Sequence, residues 1–325
     1  MSDYTMPLIQ WDSLITAAHK RIGSSSILET PLESASDLVP ELSVRLLFKR
    51  EDLQKTGSFK LRGATNKILS LTPSQTSSGV IAASNGNHGL GVAYAAQRVG
   101  IAAEIYVSSH VSAAKAKRIE ALGARICHAG NDPLDAELAA RDAATKSGKV
   151  FISPYNDLEV IAGQGTIAHE LLRQTPVLHS VFVAVGGGGL IGGIGACLKH
   201  ASPETEIVGC WPQNSRVLHE SIKAGRIIDY PEQPTLSEST AGGLEPGSVT
   251  LAVCKDAIDR SIFASEDEIL AAMRRVQQTR GYVIEGAAAV ALAAFLKEAK
   301  GYEGKTVAVI ICGGNVSPEV LRRLR

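Results

Sequence analysis

Three clusters of residues have types and spacing suited to chemistry. In Thr56-Gly-Ser-Phe-Lys-Leu-Arg-Gly-Ala64, Ser58 is placed to cap a helix and Lys60 falls in that helix's first turn. The positive end of the helix macrodipole disfavours an ammonium and pushes the amine towards neutrality. A neutral amine on a fixed element is what Schiff-base chemistry needs. Gly186-Gly187-Gly188-Gly189 follows an apolar run and opens another helix, so its backbone can close on an anion and offer N–H donors. Phosphate is the natural guest. Ser84-Asn85-Gly86-Asn87-His88 is a second polar turn of the same kind, suited to a carboxylate or an aromatic hydroxyl. By themselves these features have ordinary readings too: a surface lysine, a packing turn, a polar loop, and a capping or core histidine at His88.

Two further positions join them. Cys312-Gly313-Gly314-Asn315 ends the last apolar run, where a free cysteine is commonly just buried. Glu285 precedes Gly286–Ala288 as a helix-start acid.

The elements that must carry these residues repeat one grammar of short apolar strand, polar or glycine turn and amphipathic helix. Strands are expected at Val44–Phe48, Val80–Ala83, Ala103–Val107, Arg125–His128, Val181–Val185, Ile207–Cys210, Ile262–Ala264 and Val307–Ile311. Lys49–Asp52 reads as the charged exit of the first, and Val150–Ser153 as the opening strand of a second series. Helices are expected near Leu8–Ala18, Ser58–Leu69, His88–Arg98, Ser112–Leu122, Pro133–Lys146, Glu159–Arg173, from the tetraglycine to Lys199, and at Glu266–Thr279 and Gly286–Ala299. Between Gln213 and Ser248 the prolines and Gly242-Gly243 predict a long loop, and loops of that length are more often functional than idle. The fold class is α/β: two open, twisted, mostly parallel sheets flanked by helices, with a ligand between them at the strand ends. The expected division is residues 1–66 with 150–325 as a large lobe and 67–149 as a small one.

Composition bounds the rest. In 325 residues, 33 Lys and Arg balance 33 Asp and Glu, and no basic stripe marks nucleic acid as a partner. The longest apolar runs are strand-sized, so no membrane span is expected. Met1–Pro7 lacks a charged and apolar leader, and the five scattered cysteines have no metal-ligand spacing. A cytoplasmic enzyme is the expectation. Gly187, Gly189 and Gly192 satisfy the dinucleotide spacing G-x-G-x-x-G. That reading requires an acid at the end of the next strand, where Cys210-Trp211-Pro212 stands instead.

Taken together, the lysine, the two polar turns and the Cys-Gly-Gly-Asn strand end resemble the fold-type II pyridoxal-phosphate enzymes. Within them the chain is most similar to the serine/threonine dehydratases, or threonine ammonia-lyases, a group that includes serine racemase. The likeness runs from about Thr30-Pro31-Leu32 to Asn315 and is most specific in Lys49-Arg-Glu-Asp-Leu-Gln-x-Thr-Gly-Ser-Phe-Lys-x-Arg-Gly-Ala64. Leu61-Arg62 and Asn87-His88 set it apart from the cysteine synthases, which carry Asp-Arg and Ser-Gly-Asn-Thr there.

The resemblance implies a tryptophan synthase β-like fold with pyridoxal 5'-phosphate between the lobes. Lys60 would bond to the cofactor and act as base, with Phe59 beside the ring and Asn87 on the ring hydroxyl. Gly186, Gly187, Gly188 and Gly189 would bind the phosphate. Cys312, with Gly313, would face the pyridine nitrogen, and Glu285 would lie beside the ring. The turn Ser84, Asn85, Gly86, Asn87 and His88 would take the substrate carboxylate. A thiol carries no fixed charge, which leaves the pyridine nitrogen largely unprotonated and favours β-elimination over transamination.

The implied reaction is deamination of a β-hydroxy amino acid such as L-threonine or L-serine to a 2-oxo acid and ammonia. Alternatives are a larger 3-hydroxy amino acid (3-hydroxyaspartate, phenylserine, a hydroxyectoine-breakdown intermediate) and serine racemisation. Asn85 stands where racemases carry an acid–base serine, and Trp211 and Val217 replace the carboxylates of metal-dependent members. Neither racemisation nor a metal is therefore expected at those positions. Trp211 and Ser237–Gly247 are the segments expected to reshape the substrate pocket. The chain ends ten residues after Asn315, so no C-terminal regulatory domain is expected, and a homodimer is the family's habit.

Overall fold

The computed structural model describes residues 6–23, 25 and 27–324. Met1–Thr5, on which part of the leader reading rests, lie outside the described residues. Among the described residues ten strands form two sheets: β1 Leu32–Ser34, β2 Arg45–Arg50, β3 Val80–Ala83, β4 Ala103–Val107, β5 Arg125–His128, β6 Val150–Phe151, β7 Ser180–Ala184, β8 Glu206–Pro212, β9 Arg260–Ala264 and β10 Thr306–Ile311. The larger sheet has the order β1-β2-β10-β7-β8-β9 and the smaller β5-β4-β3-β6. All pairings are parallel except the edge pair β1–β2. The parallel strands β7 and β10 are buried along their whole length and read as apolar runs, because helices cover both faces.

The α/β expectation of two mostly parallel sheets flanked by helices holds, with local corrections. Val150–Phe151 does not open the large sheet. It pairs beside β3 in the small one, so the chain crosses to the larger sheet only afterwards. The tract Gln213–Ser248 is not loop throughout: Val217–Ala224 is helical, with Val217, Leu218 and Ser221 buried and Gly225 closing it at φ +67°. Pro73–Ser78 is a further unexpected helix, held by a capping box between Thr72 and Gln75. Thr250–Ala257 and Pro318–Leu324 are others.

Lys49–Asp52 is not a solvated exit. Lys49 and Arg50 belong to β2, and Lys49 and Glu51 are wholly buried. Arg62 spans the carboxylates of Glu51 (2.8 and 2.8 Å) and Glu170 (2.6 and 2.8 Å), while Lys49 bonds to Glu170, the Thr30 carbonyl and Gln174. Burial pulls the Lys49 ammonium down from its ordinary value. Burial pushes the Glu51 carboxyl up, but Arg62, Lys49 and the Thr30 hydroxyl together outweigh it and leave Glu51 below its usual range. Two cations and two carboxylates neutralise one another, which is the condition for burying any of them. The cluster ties β2 and the helix Leu158–Gln174 to the helix Lys60–Leu69. It fixes Arg62 two residues from Lys60.

Candidate active site

Lys60 is the first residue of its helix and half-buried. Its Nζ donates to the carbonyl of Pro154 at 2.8 Å and sits 5.2 Å from the Phe59 ring centre. Burial lowers the amine from 10.5 to about 8. The lowered amine pKa foreseen from the sequence is present, but desolvation is its main cause. Ser58 does not cap the helix: the cap position is Phe59, and the Ser58 hydroxyl is buried with no partner among the described residues. Its backbone instead bridges Gly313, and the Phe59 N–H bonds to the Cys312 carbonyl at 3.0 Å. The end of β10 thereby splints the lysine turn.

The tetraglycine turn lies between β7 and the helix Gly189–Ala201, whose start no side chain caps. Gly188 has φ +86°, and a Cβ there would come within 2.7 Å of the Cys254 sulfur and of a Leu218 methyl. A Cβ on Gly187 would sit 2.4 Å from the Tyr155 ring, and one on Gly186 2.8 Å from the Thr240 Cα. Glycine is required by space and, at Gly188, by backbone conformation. An uncapped helix start of this kind offers its first N–H groups to an anion.

The turn at Ser84–His88 is less available than its composition suggests. Ser84 Oγ accepts from the Gly86 N–H. Asn85 donates to Ser108 Oγ at 2.8 Å and accepts from the Ser108 N–H at 3.0 Å. His88 is buried with Nε2 against the Ile152 carbonyl at 2.8 Å, and burial lowers its pKa to about 3. A neutral ring committed to a backbone carbonyl is a poor direct partner for a carboxylate, so the expected role of the His88 side chain gives way to a packing role. The helix Asn87–Val99 lacks a side-chain cap, leaving backbone N–H groups as the donors this turn offers.

Asn87 donates to both Glu285 oxygens (3.1 and 2.9 Å) and accepts from Asn315 at 2.7 Å. Ser239 also donates to Glu285, at 3.1 Å. Burial nevertheless raises the Glu285 carboxyl. Cys312 is buried 3.9 Å from Glu285 Oε1, and burial followed by the Glu285 charge pushes its thiol well above the ordinary value. Cys312 is therefore a protonated, uncharged group.

These contacts place Lys60, Phe59, Asn87, Glu285, Cys312 and Gly313 in one neighbourhood, joined by short contacts. The glycine turn is linked to it by the segment Ser153–Asn156, which supplies the Pro154 carbonyl to Lys60 and the Tyr155 ring to Gly187.

The central 290 residues, 24–313, match the family model described as "Pyridoxal-phosphate dependent enzyme". The chain belongs to that family. A relative from Thermotoga maritima named L-threonine ammonia-lyase is 39% identical over 295 residues, covering 91% of this chain and 73% of that protein. The solved structure of the processed form of threonine deaminase isoform 2 from Solanum lycopersicum superposes with a TM-score of 0.91 at 32% identity, covering 98% and 95% of the two chains. Maize serine racemase gives 0.90 at 31% identity, covering 98% and 97%.

The family's cofactor is pyridoxal phosphate, and the residues present fit it. An amine of lowered pKa meets the need of its aldehyde, and the glycine turn leaves no room for a Cβ at Gly186, Gly187 or Gly188 while opening a helix whose first N–H groups no side chain caps. A neutral thiol and the Asn87 amide stand in the same neighbourhood for the ring.

Sequence reasoning missed Pro154 and Tyr155, and it marked Ser239 and Glu245 only as part of the pocket-shaping segment Ser237–Gly247. The first two lie on the polar turn after β6, which follows the same grammar as the others. Glu245 receives Ser153 (3.0 Å), Asn156 (2.8 Å) and Arg141 (2.7 Å), and its N–H donates to the Tyr155 hydroxyl at 2.9 Å. The loop Ser237–Gly247 thus reaches Glu285 at one end and the Pro154 segment at the other. Trp211, expected to shape the pocket, is a core side chain packed edge-on against His219 (5.2 Å) and beside Phe263 (6.1 Å).

Proposed function

We propose that this protein deaminates a β-hydroxy L-amino acid by α,β-elimination, with L-threonine or L-serine as substrate and a 2-oxo acid and ammonia as products. The observation that carries the reading is the pairing of Lys60, an amine of pKa about 8, with the neutral thiol of Cys312. When bound, pyridoxal phosphate supplies an electron sink that acidifies the substrate Cα–H. Lys60 would hold the cofactor until the substrate amine takes its place. Its freed amine would then remove the α-proton, a role suited to a base titrating near the working pH. Gly186–Gly189 would hold the phosphate through backbone N–H groups. Asn87 would take the ring hydroxyl, and the N–H groups at Gly86–His88 the substrate carboxylate. Cys312 would leave the ring nitrogen without a fixed countercharge, which favours rapid loss of the β-hydroxyl. The names of the Thermotoga and tomato relatives support the same substrate.

The test follows the cofactor absorbance of the purified protein as L-threonine, L-serine and L-threo-3-hydroxyaspartate are added, with 2-oxo acid measured in parallel. A spectral change with 2-oxo acid accumulating supports the lyase and selects its substrate. Response to none of the three moves the proposal to a bulkier β-hydroxy amino acid. Lys60→Ala should abolish turnover and covalent cofactor attachment, and elimination at the wild-type rate in that variant would refute the assignment.

Serine racemisation is the second reading, favoured by the likeness to the maize enzyme. It needs an acid–base group on the face opposite the lysine. Asn85 exchanges no proton near neutral pH, and its amide is committed to Ser108. α-Deuterated D-serine formed from L-serine in heavy water, at a rate rivalling elimination, would restore it. We also propose a homodimer in a reducing cytoplasm, the latter because all five thiols are free. Sedimentation of the purified protein tests the former.

A further inference from the structure

Away from the cofactor cradle, three helices bring a mixed set of metal-ligating groups together. Asp12 lies on Leu8–Gly23, His169 on Leu158–Gln174 and Cys197 on Gly189–Ala201. One carboxylate oxygen, one imidazole nitrogen and the sulfur all lie within 4.8 Å of one another. Glycines set this approach. A Cβ on Gly165 would stand 2.8 Å from the Ile15 side chain and 2.9 Å from the Gly193 carbonyl, so the helices touch backbone to backbone there. His169 lies one turn beyond Gly165, and Cys197 one turn beyond Gly193, which puts both side chains at the same level of the crossing.

The surroundings leave the set underused. His169 Nε2 is buried with no hydrogen-bond partner among the described residues, an expensive state for an imidazole nitrogen. Cys197 is wholly buried. Asp12 is partly open to solvent, with His200 Nε2 3.8 Å from its Oδ2. His19, two turns along from Asp12, stacks on the His169 ring with centroids 5.0 Å apart.

We propose that Asp12, His169 and Cys197 bind one zinc ion per chain, with solvent in the fourth position. Thiolate with imidazole selects a borderline-soft transition ion, and a single carboxylate cannot satisfy magnesium or calcium, which want several oxygens. Zinc bonds of about 2.0–2.3 Å place tetrahedral ligand atoms somewhat closer than 4.8 Å, within reach of small side-chain rotations. His200 beside Asp12 and the His19 ring on His169 are the outer groups that orient such ligands. The ion would pin the helix that opens with the phosphate cradle, at a point eight residues and about 12 Å along its axis from Gly189. Its role is therefore structural, and it is separate from any metal in the Trp211–Val217 loop.

The test uses the cofactor-loaded full chain. Zinc is titrated with metal analysis after dialysis, and cobalt(II) replaces it for spectroscopy. The expected result is one zinc per chain at micromolar affinity or tighter, a raised melting temperature, and a cobalt spectrum with tetrahedral d–d bands and a thiolate charge-transfer band. Cys197→Ser and His169→Gln should each weaken binding about 100-fold and remove or shift the cobalt bands, and Asp12→Asn about tenfold. Cys127→Ser should change nothing. The cofactor absorbance reports whether each variant folds, and the wild-type cobalt spectrum stands if one does not. Absence of a tight zinc, a cobalt spectrum without the thiolate band, or binding unchanged in Cys197→Ser would overturn the proposal.

Discussion

Lys60 Nζ and the carbonyl oxygen of Pro154 are joined by a 2.8 Å hydrogen bond. The bond parks the amine on the segment that also presents Tyr155 to the glycine turn, so the lysine is oriented before any ligand arrives. It must break for the side chain to swing, which a single hydrogen bond of about 1–3 kcal/mol permits.

The first prediction follows from the amine's pKa. With a value of about 8, the neutral fraction rises roughly tenfold per pH unit below 8 and then levels off. The rate at which apoprotein rebinds pyridoxal phosphate should follow that curve, bending near pH 8. An ordinary lysine would keep the rate climbing past pH 10. Stopped-flow absorbance from pH 6 to 10 decides between the two.

Gly188→Ala should damage the cradle twice over, through φ +86° and through collision with Cys254 and Leu218. A destabilisation of about 1–3 kcal/mol is expected. Cofactor affinity should fall tenfold or more, read by equilibrium titration. Retained affinity would mean the turn does not hold the phosphate.

Arg62 is bonded to Glu51 and Glu170 inside the protein. Removing it as Arg62→Met leaves buried Glu51 without its ion-pair partner and Glu170 with Lys49 alone, and should cost about 3–5 kcal/mol. Urea unfolding should show a lower midpoint at unchanged slope. A loss below about 1 kcal/mol would show that the cluster does not hold the lysine helix in place.

Glu285 carries a raised pKa because burial outweighs the bonds from Asn87 and Ser239. The native state then keeps a proton that the unfolded chain releases near 4.5. Its stabilising contribution is complete below pH 4.5 and is lost as pH rises through the folded value. Glu285→Gln, which keeps an acceptor for Asn87, should flatten this part of the pH–stability profile and raise stability at neutral pH. Denaturation midpoints from pH 4 to 7 check the sign. Cofactor affinity in the same variant reports whether the carboxylate also serves the ring.

Periodicity by itself determined most of the strands and helices, because a buried parallel strand must be an apolar run and a covering helix must be amphipathic. The glycine run and the lysine motif likewise marked a crowded turn at a helix start and an amine of lowered pKa, since those demands fall largely on local backbone and residue type. Only the tertiary structure decided which charges are buried. Lys49 and Glu51 look like a solvated strand exit in sequence, yet Arg62 and Glu170, 11 and 119 residues beyond Glu51, neutralise them in the core. The same holds for the amine: burial, a property of the whole fold, is the leading cause of the lowered Lys60 pKa. Asn85 and His88 looked free for a ligand until Ser108 and the Ile152 carbonyl arrived from just beyond the ends of β4 and β6. Partners brought by distant segments leave no local pattern, and that is why these assignments waited for the fold.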